Sequence, residues 1–186
     1  MHDDGFYIKE ILDGKTEEAI FSLVRKYEKK VFNLCFRIIK SRELAEEVAQ
    51  DAFLKSFREL RKLEDFSKYE IWLSRIAYHL SIDVTRKKKR YYTDIDQVNP
   101  VEMRLVSTTS LDQMDRKLAI EQILQEIPSE DSALITLFYL NEMQVREVAE
   151  IMKISESNVK VKLLRIRKVL KERLNRTFKD EVYELF

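Results

Sequence analysis

The sequence holds two glycines, two prolines, one cysteine and two histidines in 186 residues. A sheet protein with many tight turns needs far more glycine and proline, while the abundant Leu, Ile, Glu, Lys and Arg are all workable helix residues. The expected fold class is therefore all-α. A lone cysteine excludes an internal disulfide. Cys35 shares a helical face with Val31, Leu34 and Ile38 and reads as inert core in a reducing compartment. His2 and His79, with no glycine-rich phosphate loop and no metal-ligand spacing, give no constellation for catalysis. No catalytic residue, metal site, cofactor or small-molecule substrate is expected. Nowhere do eighteen apolar residues follow one another, and the N-terminus starts with acids rather than a basic run, so the expected location is the cytoplasm.

Charge is plentiful, but 34 basic against 33 acidic residues leave a net charge of only +1. Its placement is more informative than its sum. Between Ser155 and Arg176 eight Lys or Arg face two acids, and Arg86 to Arg90 is an unbroken basic block.

Apolar residues recur at steps of three or four from Glu17 (Ile20, Phe21, Val24, Tyr27, Val31, Leu34, Cys35, Ile38), which predicts one long amphipathic helix. Ser41 can cap a second, with Leu44, Ala45, Val48, Phe53, Leu54 and Phe57 on its apolar face and its acids in the first turns, where the helix dipole favours them. A polar stretch, Arg61 to Lys68, precedes a third helix from about Tyr69 to Arg90, with Trp72, Leu73, Ile76, Ala77, Leu80 and Val84 inward. On this helix Trp72 reads as core, whereas Tyr69, Tyr78 and His79 are candidates for exposure. A basic helix with exposed aromatics suits single-stranded nucleic acid, because bases stack on rings and phosphates follow the charge.

Periodicity fades from Tyr91 to about Asp115, where polar residues and Pro100 accumulate, so residues 93–115 read as an interdomain linker. The expected domains are 1–92 and 116–178, followed by a tail, 179–186, whose aromatics either pack on the second domain or form a short partner-binding segment. Helical pattern resumes at Arg116, breaks at Pro128 with Ser129 as the next cap, and continues through Ala133, Leu134, Leu137 and Phe138.

Gln144 to Arg173 reads as a helix-turn-helix. Val145, Val148 and Met152 line the inner face of its first helix, small Ala149 permits close approach, and Lys153-Ile154-Ser155 makes a turn without glycine. Ser155 can cap a second helix whose apolar stripe is Val159, Leu163, Ile166 and Leu170. The other face presents Ser157, Asn158, Lys160, Val161, Lys162, Arg165 and Lys168, a set able to meet base edges and phosphates. The alternative is a solvated basic helix in an ordinary bundle.

With these segments in view, the chain resembles the extracytoplasmic-function group of bacterial RNA polymerase sigma factors, over roughly Glu17 to Leu174. Ala45 to Phe57 looks like the family's polymerase-binding helix, Trp72 to Ala77 through Asp83 and Arg86 like its −10 helix, and Asn158 to Arg167 like its −35 recognition helix. The resemblance implies two helical domains, sigma-2 and sigma-4, joined by a flexible linker. It implies that Glu46, Glu47, Gln50 and Asp51 dock on core RNA polymerase, whose β′ and β subunits become partners. Tyr69, Arg75, Tyr78, His79, Asp83, Arg86 and Lys87 would meet the −10 element, and the loop Leu63 to Lys68 would capture a flipped base. An anti-sigma factor is a further implied partner. Ser157, Asn158 and Leu164 differ from the family's usual residues, which implies an unusual −35 preference. The rival function is a helix-turn-helix regulator that acts on duplex DNA without replacing a polymerase subunit.

Overall fold

A computed structural model describes residues 3–15, 17–94 and 126–178; the linker beyond Asp94, the helical stretch Arg116 to Leu124 and the tail lie outside the described residues. Among the described residues every regular element is helical.

α1 (Asp4–Leu12) opens with Asp3 as N-cap, its carboxylate accepting from the backbone N–H of Phe6 at 2.8 Å. α2 (Glu17–Ile39) is the central helix and buries Leu23, Tyr27, Val31, Leu34, Cys35 and Ile38. The expected stripe was too wide: Phe21 is 65% exposed. α3 (Arg42–Arg58) follows Ser41, which stands at the cap position without a side-chain cap bond. Leu54, expected on its inner face, is 57% exposed.

Two short 3₁₀ turns, Leu60–Lys62 and Phe66–Lys68, lead into α4 (Tyr69–Asp94), which runs through Tyr91 to Asp94, where the sequence suggested that helical order ends. α2, α3 and α4 pack on one another around a shared core. Each fully buried Leu or Ile there contributes about 1.5–3 kcal/mol.

The C-terminal unit starts with α5 (Ser129–Ile135) behind Pro128 and passes through a π turn, Thr136–Leu140, closed by the Asn141 N–H donating to the Thr136 carbonyl at 2.9 Å. α6 (Val145–Met152) has Gln144 and Glu147 in a reciprocal capping box, satisfying amides that a helix start leaves open. α7 (Glu156–Phe178) is the long basic helix.

The two units are packed together. α5 lies on α2 and α6 on α4, and one continuous buried cluster runs from Ile8 to Ile166. The Ser129 hydroxyl, expected as a cap, instead donates to the Ile38 carbonyl at 2.8 Å, and Lys40 Nζ donates to the Ile127 carbonyl at 2.7 Å. Arg75 on α4 is ion-paired with Glu150 on α6.

Candidate nucleic-acid and polymerase interfaces

α7 begins as the sequence suggested. Ser155 Oγ accepts from the Asn158 N–H at 3.2 Å, one of the amides a helix start leaves unsatisfied. The missing turn glycine is replaced by Lys153, which takes the left-handed conformation itself, φ 55 and ψ 45, and donates its N–H to the Ala149 carbonyl. That strain costs about 1–2 kcal/mol. Val148, Ala149 and Met152 of α6 and Val159, Leu163 and Ile166 of α7 are buried. This fixes the roll of α7 and turns Ser157, Asn158, Lys160, Val161, Arg165 and Lys168 outward, all exposed.

Two of the expected DNA-facing cations do other work here. Asp131, in the first turn of α5, is 8% exposed. Its oxygens accept from Arg165 Nη2 at 3.0 and 3.3 Å, and Lys162 Nζ stands 3.7 Å from Oδ1. Lys162 is half-buried, so it faces α5 as much as the open side. Arg165 remains 62% exposed at its side chain and borders the open face while clamping α7 to α5.

On α3, Glu46, Glu47, Gln50 and Asp51 are all exposed, and Leu54 continues their row one turn further on. An acidic, partly apolar strip of this kind is available for docking a protein partner. A shallow cleft of about 290 Å³ between α3 and α4 is lined by Val48, Asp51, Leu80, Asp83, Val84 and Lys87.

α4 departs most from expectation. Tyr69 was a candidate for exposure and is 0% exposed. Its ring lies 5.8 Å from that of Tyr27, and its hydroxyl meets Ser56 Oγ at 3.1 Å. Burial pushes that hydroxyl up to about 12, with the Ser56 bond acting in the opposite sense. Tyr69 is a core residue and offers DNA no stacking face. Tyr78 is 6% exposed, and burial raises its hydroxyl too. His79 is half-buried, with Nε2 enclosed and unpartnered; burial holds its imidazole below the usual range, and the Lys153 charge adds to this. The physical reason for Tyr78 and His79 is the packing of the C-terminal unit on this side of α4, a long-range contact that a local pattern does not carry. Arg75 is held by Glu150, whereas Asp83, Arg86 and Lys87 are open. Glu70 is answered by Lys30 at 2.6 Å.

In the loop before α4, Leu63 is buried, and the Asp65 carboxylate accepts from both the N–H and the hydroxyl of Ser67, at 3.0 and 2.6 Å, which lowers its pKa. α1, which has no counterpart in the sequence reading, packs against this loop: a Cβ on Gly5 would meet Phe66 Cβ at 3.8 Å. Asp4 ties α1 to α2 by accepting from Lys26 Nζ at 2.6 Å and from the Tyr27 hydroxyl. The available signal was Asp3 as a cap followed by Phe6, Tyr7 and Ile8.

A helical unit with an exposed acidic strip, joined to a helix-turn-helix with an exposed basic face, defines a DNA-reading protein that also docks on a protein partner. Residues 23–91 match the family described as Sigma-70 region 2, and residues 117–170 match Sigma-70, region 4. The chain is 30% identical over 163 residues to the ECF RNA polymerase sigma factor SigM of Bacillus subtilis, covering 88% of this chain and 99% of that protein. It is 29% identical over 177 residues to SigW of the same organism, covering 90% and 94%. Among solved structures, the sigma factor RpoE in complex with the anti-sigma factor NepR from Bartonella quintana superposes with a TM-score of 0.67 at 20% identity, covering 86% of this chain and 98% of that one. CnrH in complex with the cytosolic domain of CnrY gives 0.67 at 18% identity, covering 93% and 97%. The chain belongs to the extracytoplasmic-function RNA polymerase sigma factors.

Proposed function

We propose that this chain docks on core RNA polymerase through the α3 strip, reads the −35 element with the outward face of α7, and opens the −10 element with α4. The observation that carries the reading is the roll of α7: Val159, Leu163 and Ile166 are buried while Ser157, Asn158, Lys160 and Lys168 are open. That leaves a basic strip along one face of an α-helix, the element that the major groove admits. Glu46, Glu47, Gln50 and Asp51 serve polymerase binding, with Leu54 adding apolar area. Strand opening needs no catalytic group, since preferential affinity for the open form shifts the equilibrium. The protein is a binding subunit rather than an enzyme and acts in the cytoplasm, where polymerase and promoter are. No described helix is long and apolar enough to cross a membrane. An anti-sigma factor is its expected regulator.

For the −10 element, Asp83, Arg86 and Lys87 form the accessible part of the surface, and Arg75 and His79 join it only when α6 leaves α4. The α3 strip is open while the units are packed, so polymerase docking can precede their separation. Promoter-specific transcription by core polymerase plus this chain tests the reading. Loss of core affinity in Gln50→Ala/Asp51→Ala, with isolated −35 binding kept, supports the α3 assignment, and unchanged core affinity overturns it.

A further inference from the structure

Val161 and Leu164 are 65% and 69% exposed. With about 100° between successive residues, Ser157, Val161, Leu164 and Lys168 share one strip, opposite the buried stripe of α7. Lys160 and Lys171 flank that strip on one side and Asn158 and Arg165 on the other, and all four are exposed. Single exposed aliphatic residues are ordinary on any surface. An adjacent pair at the centre of a cationic face is a more particular arrangement, because a strip rich in cations around it selects a polyanion rather than an apolar protein partner.

We propose that Val161 and Leu164 read thymine 5-methyl groups in the major groove of the upstream promoter element. The inference rests on α7 being the −35 reader. The 5-methyl of thymine is the apolar feature of the major-groove base edges; cytosine instead presents an amine, which an aliphatic side chain would desolvate without a partner. Val161 and Leu164 can form no hydrogen bond, so they discriminate by fit to a methyl and by rejection of unpaired polar edges. Asn158, one turn before, carries both donor and acceptor for a neighbouring base, and Lys160, Lys168 and Lys171 fix the register on phosphates.

The test uses holoenzyme reconstituted from core polymerase and the full chain. Promoter duplexes are selected from a library randomised upstream, then remade with deoxyuridine for thymidine in the selected element, which removes the methyl and keeps every hydrogen-bonding group. The expected motif contains adjacent thymines, and each contacted methyl removed weakens binding about fourfold. Val161→Ser/Leu164→Ser binds the thymine duplex more weakly and loses nothing further with deoxyuridine. A selected motif whose affinity is indifferent to deoxyuridine overturns methyl reading and leaves α7 as the DNA reader. Absence of any upstream preference overturns both. Indifference to deoxyuridine combined with loss of core-polymerase affinity in the double variant assigns the pair to a protein contact and overturns the inference.

Discussion

Arg165→Ala separates two roles that one side chain holds at once. In the folded chain Arg165 reaches both oxygens of Asp131, which is only 8% exposed, while its own side chain is 62% exposed. Breaking a fully buried pair costs about 3–5 kcal/mol, and an exposed pair is worth about 0.2–1 kcal/mol. The arginine end is open to water and Lys162 remains 3.7 Å from the carboxylate, so the expected loss is between these limits, about 1–2 kcal/mol. For a chain of this size that lowers the melting temperature by roughly 3–6 °C. Lys160→Ala is a clean surface change, within about 0.5 kcal/mol, and lowers the salt dependence of duplex binding by about one phosphate contact. The assay is thermal denaturation beside duplex titration across salt, with Asp131→Asn closing a double-mutant cycle on Arg165→Ala. Coupling near zero, with Arg165→Ala as stable as the parent, refutes the clamp. Weak DNA binding by Arg165→Ala alone therefore does not identify a base or phosphate contact.

Three further outcomes are expected. Tyr69→Phe loses only the bond to Ser56 and costs about 1 kcal/mol with promoter opening kept, whereas Tyr69→Ala costs about 3–5 kcal/mol; lost opening at full stability in Tyr69→Phe means the hydroxyl serves promoter DNA rather than the core. Glu150→Lys puts a second cation beside Arg75 and shifts the packed arrangement toward separated units by about 1 kcal/mol, roughly fivefold. Energy transfer between dyes placed on cysteines at Phe21 and Lys168 reads this, and an unaltered distance distribution contradicts the contact. Cys35 is 0% exposed and burial pushes its thiol up to about 11, leaving about 0.1% thiolate at pH 8, so thiol reagents should label it only after unfolding. Because its folded pKa lies above the unfolded value of 9.0, the stabilisation is complete below pH 9 and is lost as pH rises towards 11, about 2–3 kcal/mol in all. Labelling of the native chain at the unfolded rate overturns that burial.

α2 to α4 and the helix-turn-helix were legible because each buries one face and so writes its period into the sequence. Even the turn without glycine could be placed, since Ser155 and the stripe Val159, Leu163 and Ile166 fix where the next helix starts and how it is rolled. Three things were not legible. α1 spans nine residues with Gly5 inside, a poor helix former, and it is held by packing on Phe66 and by Asp4 rather than by propensity. Phe21 and Leu54 fit the periodic stripes but fall at their edges, and one-dimensional spacing cannot tell an edge from a centre. Tyr69 does keep step with Leu73 and Ile76, and its aromatic polarity hid this. The covering of Tyr78 and His79 depends on α5 and α6, some fifty positions or more away in sequence.

α3 and α7 together make the chain a polymerase subunit rather than a self-sufficient operator reader. Run-off transcription with core polymerase, promoters from the selected library and the purified chain tests it most directly. Promoter-specific transcripts should require the chain and vanish with Gln50→Ala/Asp51→Ala. Duplex binding by the chain with no transcript above core polymerase alone would contradict it.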